Sequence, residues 1–345
     1  MKKTARRIAT VLVALLCALL CLCGTARRQK LYVYNWTYYM PPDVLDDFRK
    51  KFNIDLVYDV YPSNEDMFAK LKSGARGYDI VVPSGDFVSI MIHEGMLAPI
   101  DKSRLPNFAN IDTAVLRRIT FDQGNQFSVP YMMGASGIAV NKKLAGSCDR
   151  SWSVFNRTDL ADRMTMLDDM REVIGAALKY LGYSVNTTDT AELAKAKAVI
   201  LGWKKNIVKF DAESFAKGFA SGEFWVVQGY AENVFREYDS ARRDEVDFFI
   251  PREGGPMYMD NLVILKNAPD KDAAYAFINY IHSPEVFARI VDYLGYPCIN
   301  AAARAYIKRK PNYDLSDLKK CEFKDDLGVN LELYNKIWEE IRMGG

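Results

Sequence analysis

The chain has 345 residues, with 46 lysines and arginines against 44 aspartates and glutamates, and an apolar fraction of 49%. That length suits two domains or one large one, and that apolar share supplies a full core. A balance so close to neutral argues against a nucleic-acid partner, which requires a basic face.

The first 26 residues read as a leader. Lys2, Lys3, Arg6 and Arg7 make a basic start, and Ile8 to Leu22 runs without a charge. Gly24, Thr25 and Ala26 then supply the small residues a signal peptidase needs, so residues 1–26 are expected to be a signal peptide and the protein periplasmic. The apolar run is short for a membrane span and has the wrong flanks. Without the leader's four bases, 42 bases face 44 acids, a net charge of −2. Cys23, followed by Gly24, is a candidate lipidation site that would hold the protein at a membrane face. Leu22 is bulkier than a lipoprotein peptidase prefers, so leader cysteines acting as small hydrophobes is the competing reading. Cys148, Cys298 and Cys321 are odd in number and widely spaced, which gives neither a disulfide framework nor a metal-ligand pattern. No metal and no cofactor is expected.

From Leu31 onward, short apolar runs alternate with amphipathic segments. "LYVYNW" precedes "PDVLDDFRKKF", "IDLVYDVY" precedes "NEDMFAKLKSG", and "YDIVVP" precedes "SGDFVSIMIHEGML". Later, "RMTMLD" precedes "DMREVIGAALKYLGY", and "EFWVVQG" precedes "AENVFREYDSAR". These are βα units on mostly parallel sheets, an α/β fold in two lobes, with ligand chemistry expected at the carboxyl ends of strands.

The notable side chains fall at those ends. The first strand runs into Trp36, Thr37, Tyr38 and Tyr39; Ser84 and Asp86 follow "DIVVP"; Asp169 and Glu172 follow "TML"; Tyr230 follows "FWVVQG". Spacing alone favours capping for Asp169 and Glu172, because Asp-x-x-Glu before an apolar helix is a capping-box pattern. Were both to enter a cleft, two like charges on one face would require a cation between them. Ser84 likewise reads first as a helix cap. Asp260 lies within the strand-like "GGPMYMDNLVIL", where acids are depleted, and is the least ordinary acid in the chain. Trp36, Tyr39, Tyr230, Tyr258 and Tyr296 all sit at strand ends or beside Gly and Pro, which favours an aromatic-lined pocket over simple core.

No reaction is proposed by these residues. His93 and His282 are far apart, and no Gly-x-Ser-x-Gly elbow, phosphate loop or dinucleotide fingerprint occurs. Carboxylates with aromatic faces suit capture of an organic cation instead.

The stretches "LYVYNWTYYMPP", "YDIVVPSGDFV", "SVPYMMGASGIAVN", "GGPMYMDNLVI" and "LGYPCINAAAR", in order from Leu31 to the C-terminus, resemble the spermidine/putrescine-binding periplasmic proteins of bacterial polyamine ABC importers. The resemblance implies a type II periplasmic-binding-protein fold, each lobe a mostly parallel sheet flanked by helices, closing on the ligand. Residues 31–137 plus about 262–300 would form one lobe, and about 138–261 plus 301–345 the other. It implies a monomer that binds putrescine or spermidine and docks on a membrane permease powered by an ATPase. By the same resemblance Trp36, Tyr39 and Tyr296 are ring walls, Ser84 is the family serine, Asp169 and Glu172 hold a terminal ammonium, and Asp260 meets an amine along the chain. Tyr230 and Tyr258 stand where those proteins usually carry Trp. Three positions depart: Tyr38 stands in place of Glu, Asp86 in place of Tyr, and Lys324 in place of Gln. These departures lead to an expectation of putrescine over spermidine, with Lys324 repelling a third ammonium or pairing with Asp86. A surface lipoprotein using the same fold for adhesion, or for another small organic cation, is the alternative.

Overall fold

A computed structural model describes residues 29–344; the leader and Cys23 lie outside the described residues. The chain enters a first sheet with β1 (Lys30–Trp36), β2 (Asp55–Tyr61), β3 (Ile80–Val81) and β4 (Ser128–Ala135). It crosses to a second sheet for β5 (Gly137–Asn141), β6 (Met164–Met166), β7 (Ile207–Phe210), β8 (Val226–Gly229) and β9 (Val246–Phe249), then returns for β10 (Pro256–Ile264) and β11 (Glu322–Phe323). The first sheet is ordered β11-β10-β3-β1-β2 with β4 also on β10, and the second β7-β6-β8-β5-β9.

Each sheet has a parallel part built by the βα units and an antiparallel part brought by the crossing strands. β1 is parallel to β2 and β3, and β6 to β7 and β8. β10 is antiparallel to β3 and β4, and β5 to β8 and β9. The run "SVPYMMGASGIAVN" is therefore two strands, broken at the fully buried Ser136, with one strand in each lobe.

The expected lobe boundaries move. All of β10 belongs to the first sheet, its ladder to β4 running from Met257 to Val263, so the second crossing lies at residues 250–255 rather than after Asp260. Nor does the chain leave the first lobe near residue 300: β11 pairs with β10, and only beyond Phe323 does it cross again. At the second crossing Gly254 has φ +83°, and a Cβ there would lie 2.2 Å from the Lys320 carbonyl oxygen, so the turn requires glycine.

Helices close the outer faces. The helix Pro42–Phe52 starts with Pro at its first turn, carries Asp43 early and Arg49, Lys50 and Lys51 late, and buries Val44, Leu45 and Phe48. Phe48 meets Phe277 edge to face at 5.1 Å. The second lobe has a core of its own around Trp152, Met164, Val173 and Trp203. The last helix, Leu331–Met343, adds Tyr334, Trp338 and Ile341 to it. No helix of the described residues is long and apolar enough to cross a membrane.

Candidate ligand-binding site

Asp260 anchors the site from the first lobe. It lies at an irregularity in the β10–β4 register between Asp260 and Asn261, and forms an isolated bridge with Ser84. Such a bulge re-aims a side chain that strict alternation would send elsewhere. Tyr39 Oη donates to Asp260 Oδ2 at 2.6 Å, and Ser84 Oγ donates to Oδ1 at 2.7 Å. Ser84 is thus at the helix N-terminus without capping it; its hydroxyl serves Asp260, and Asn64 Nδ2 donates to that hydroxyl at 3.0 Å. Burial pushes the Asp260 carboxyl up to about 7, against the hydrogen bonds from Tyr39 and Ser84 and the charge of Lys324.

The second lobe supplies Asp169 and Glu172 at the start of the helix Met170–Tyr180. Asp169 does cap it, accepting from the Glu172 backbone N–H at 3.0 Å. Glu172 does not complete a capping box. Its fully buried carboxylate turns into the interlobe space, where Ser136 Oγ donates to Oε2 at 2.6 Å and Lys324 Nζ donates to Oε1 at 2.6 Å. The cation that two like charges call for is one of the protein's own.

Lys324 reaches this place because its backbone is clamped. Its N–H donates to the Met257 carbonyl at 3.2 Å, continuing the β11–β10 pairing. Asn186 holds both neighbours, donating to the Phe323 carbonyl at 2.8 Å and accepting from the Asp325 N–H at 3.0 Å. Burial works against the Lys324 charge, but Glu172, Asp169 and Asp86 together overcome it and raise the ammonium above lysine's usual range. Asp86 makes no ion pair at contact distance with Lys324; burial raises its carboxyl, and Lys324 and Arg171 pull the other way through space. Asp86, Tyr258 and Lys324 line one narrow crevice.

Tyrosines form the walls. Tyr39 meets Tyr296 edge to face at 5.9 Å, and Tyr230 meets Tyr258 likewise at 5.9 Å. Tyr258 and Tyr296 hydroxyls are 2.7 Å apart, and Tyr296 Oη donates to Glu232 Oε1 at 2.8 Å. Since Tyr296 spends its proton on Glu232, Tyr258 is the donor of the pair. Opposite Tyr258 in the ladder is Gly134, where a Cβ would lie 2.5 Å from the Tyr258 hydroxyl. Burial raises the Tyr39, Tyr230, Tyr258 and Tyr296 hydroxyls well above their ordinary range, so all four are neutral donors. Trp36 is half-buried at the end of β1, its indole N–H donating to the Val82 carbonyl at 2.9 Å and its ring 4.8 Å from Tyr61.

Two residues of the expected set are not brought into this cluster. Thr37 and Tyr38 are exposed at the turn after β1; Tyr38 has φ +59° and is 63% exposed. The turn lifts its ring out to the rim, where the Arg236 guanidinium of the second lobe lies 4.9 Å above it. Conversely, Ser136 and Glu232 were not singled out from sequence. Ser136 sits at a strand break inside an apolar run, which carries no local signal. Glu232 follows the end of β8 by three residues, and the strand-end rule that selected Tyr230 would have reached it.

Carboxylates from both lobes, neutral hydroxyl donors and ring faces thus converge where the two sheets meet. Acids with hydroxyl donors and ring faces around them suit the capture of an organic cation. Fold and site together define a two-lobed solute receptor of the type II periplasmic-binding class.

Residues 43–314 match the family of bacterial extracellular solute-binding proteins. The spermidine/putrescine-binding periplasmic protein of Escherichia coli K12 is 35% identical over 322 residues, 91% of this chain and 92% of that protein. The putrescine/cadaverine-binding protein of Pseudomonas aeruginosa PAO1 is 34% identical, over 91% of this chain and 94% of its own length. Among solved structures, the Tp0655 (TpPotD) lipoprotein of Treponema pallidum superposes with a TM-score of 0.88 at 49% identity, covering 91% of this chain and 99% of that one. The chain belongs to the bacterial extracellular solute-binding proteins, in the family of the spermidine/putrescine-binding periplasmic proteins.

Proposed function

We propose that the protein is an exported receptor that captures polyamines, putrescine in preference to spermidine, and delivers them to an ABC importer. The names of the relatives support the polyamine class and the transport role. The preference rests on one observation, the hydrogen-bonded ion pair between Lys324 and Glu172. Each ammonium taken out of water needs an acceptor. Glu172, which the resemblance assigns to a terminal ammonium, is already engaged by an internal one. A triamine must displace Lys324 or leave an amine unpaired, whereas a diamine needs neither.

The set Trp36, Tyr39, Ser84, Asp86, Asp169, Glu172, Tyr230, Tyr258, Asp260, Tyr296 and Lys324 is proposed as the ligand slot. Thr37 and Tyr38 belong to its rim. Competition calorimetry is the test: putrescine should displace spermidine at lower concentration. Equal affinities would remove the preference, and indifference to both amines would remove the polyamine reading. Anchoring through Cys23 is supported by the lipoprotein relative, and mass spectrometry of the mature N-terminus decides it.

A further inference from the structure

The hydroxyl relay from Tyr258 through Tyr296 ends on Glu232, a carboxylate for which neither the sequence motifs nor the resemblance gives a role. Resting on the polyamine reading of the site, we propose that Glu232 binds the ligand's second ammonium, and that Asp260 and Glu232 together set the site for a dication.

The carboxylates of the cleft fall into two groups. Glu172, Asp169 and Asp86 share Lys324, which Glu172 holds at 2.6 Å. Asp260 and Glu232 receive hydroxyls instead, from Tyr39 and Ser84 on one and from Tyr296 on the other. A hydroxyl satisfies a lone pair but brings no charge, so each carboxylate keeps much of its desolvation cost, which Lys324 offsets only through space at Asp260 and Arg236 only through space at Glu232. Burial raises Glu232, against the hydrogen bonds from its own backbone N–H and from Tyr296 and the more distant charge of Arg236. Arg236 is itself exposed and committed to the Tyr38 ring at the rim.

The two acceptors belong to one wall. The Tyr39 ring, whose hydroxyl is on Asp260, stands edge to face with the Tyr296 ring, whose hydroxyl is on Glu232. Tyr230 lies within the electrostatic reach of both, as well as of Glu172 and Asp169. Glu232 accepts the Tyr296 hydroxyl on Oε1 and a hydrogen bond from its own backbone N–H, and neither donor brings a charge to the carboxylate. Because Glu232 is on the second lobe and Asp260 on the first, a diammonium ligand held between them would also tie the lobes together.

A contact that merely closes the lobes predicts a different result from one that binds an ammonium. Glu232→Gln keeps an oxygen for Tyr296 and removes the charge. Putrescine and the monoamine 1-aminobutane are titrated by calorimetry into parent and variant at about pH 8, where Asp260 is ionised. Putrescine affinity should fall about 10- to 100-fold, the range for losing a charged hydrogen bond, while 1-aminobutane changes less than about twofold. Glu232→Asp should recover part of the loss, and matched melting curves show that both variants are folded. Equal losses for both amines, or an unchanged putrescine affinity, would overturn the assignment. A parent protein that ignores both amines would overturn the polyamine reading and this proposal with it.

Discussion

Lys324 Nζ lies 2.6 Å from Glu172 Oε1 in the interlobe cleft, and Glu172 is fully buried. A side chain of the receptor thus occupies an acceptor that the resemblance assigns to the ligand. Removing one member of a buried pair strands the other, which costs about 3–5 kcal/mol. Lys324→Gln should therefore lower the melting temperature of the ligand-free protein. Spermidine should restore it more fully than putrescine, because its extra ammonium can replace the missing one. Calorimetric scans with and without each amine read this directly, and an unchanged melting temperature would take the ion pair out of the argument.

Asp260 gives the site a pH dependence. Its carboxyl is raised to about 7, and an ammonium needs the ionised form. Putrescine affinity should rise from pH 5 to about 7 and level off above it, with a proton released on binding below that point. The sign for stability is opposite. Between the ordinary aspartate value and about 7 the folded protein binds the extra proton, so this group's contribution to stability declines as pH rises through that window. Asp260→Asn should flatten both profiles and weaken binding about 100-fold.

The Tyr38–Arg236 stack joins the lobes at the rim with a ring-to-cation distance of 4.9 Å. At an exposed site such a contact is worth about 0.5–1 kcal/mol. Arg236→Ala should raise the dissociation rate about two- to fivefold and leave the association rate nearly unchanged, as read by stopped-flow fluorescence. In the same spirit, small-angle scattering should report a smaller radius of gyration when putrescine is added.

Gly134 makes room for the relay. A methyl group there would press on the Tyr258 hydroxyl at 2.5 Å and on the Tyr296 ring at 2.9 Å. Gly134→Ala should leave the far-ultraviolet circular dichroism intact while lowering putrescine affinity about tenfold, since overpacking costs about 1–3 kcal/mol. Restored affinity in the double variant with Tyr258→Phe would locate the strain at that hydroxyl.

Much of this protein is local in its sequence. The alternation of β-branched runs with amphipathic segments determines the βα units, because side-chain period alone separates strand from helix. Trp36, Asp169, Glu172 and Tyr230 were legible because they end strands, where functional side chains of such folds collect. Asp260 was legible because an acid inside a strand is rare. What each acid does there was not. Asp169 caps its helix as the spacing suggests, yet Glu172, three residues on, leaves the cap for a serine and a lysine 36 and 152 residues away. Ser84 leaves its own cap for Asp260, 176 residues distant. The lobe boundaries were missed because "GGPMYMDNLVIL" forms one strand whose partners, β3, β4 and β11, come from distant parts of the chain. Tyr38 sits beside Tyr39 in sequence, but a positive φ sends the two rings to different places. The sequence by itself determined the residue types, the periodicities and hence the two α/β lobes. Tertiary structure decided which carboxylate meets a hydroxyl and which meets Lys324, because those partners are joined by long-range strand pairing and lobe contact that no local window contains.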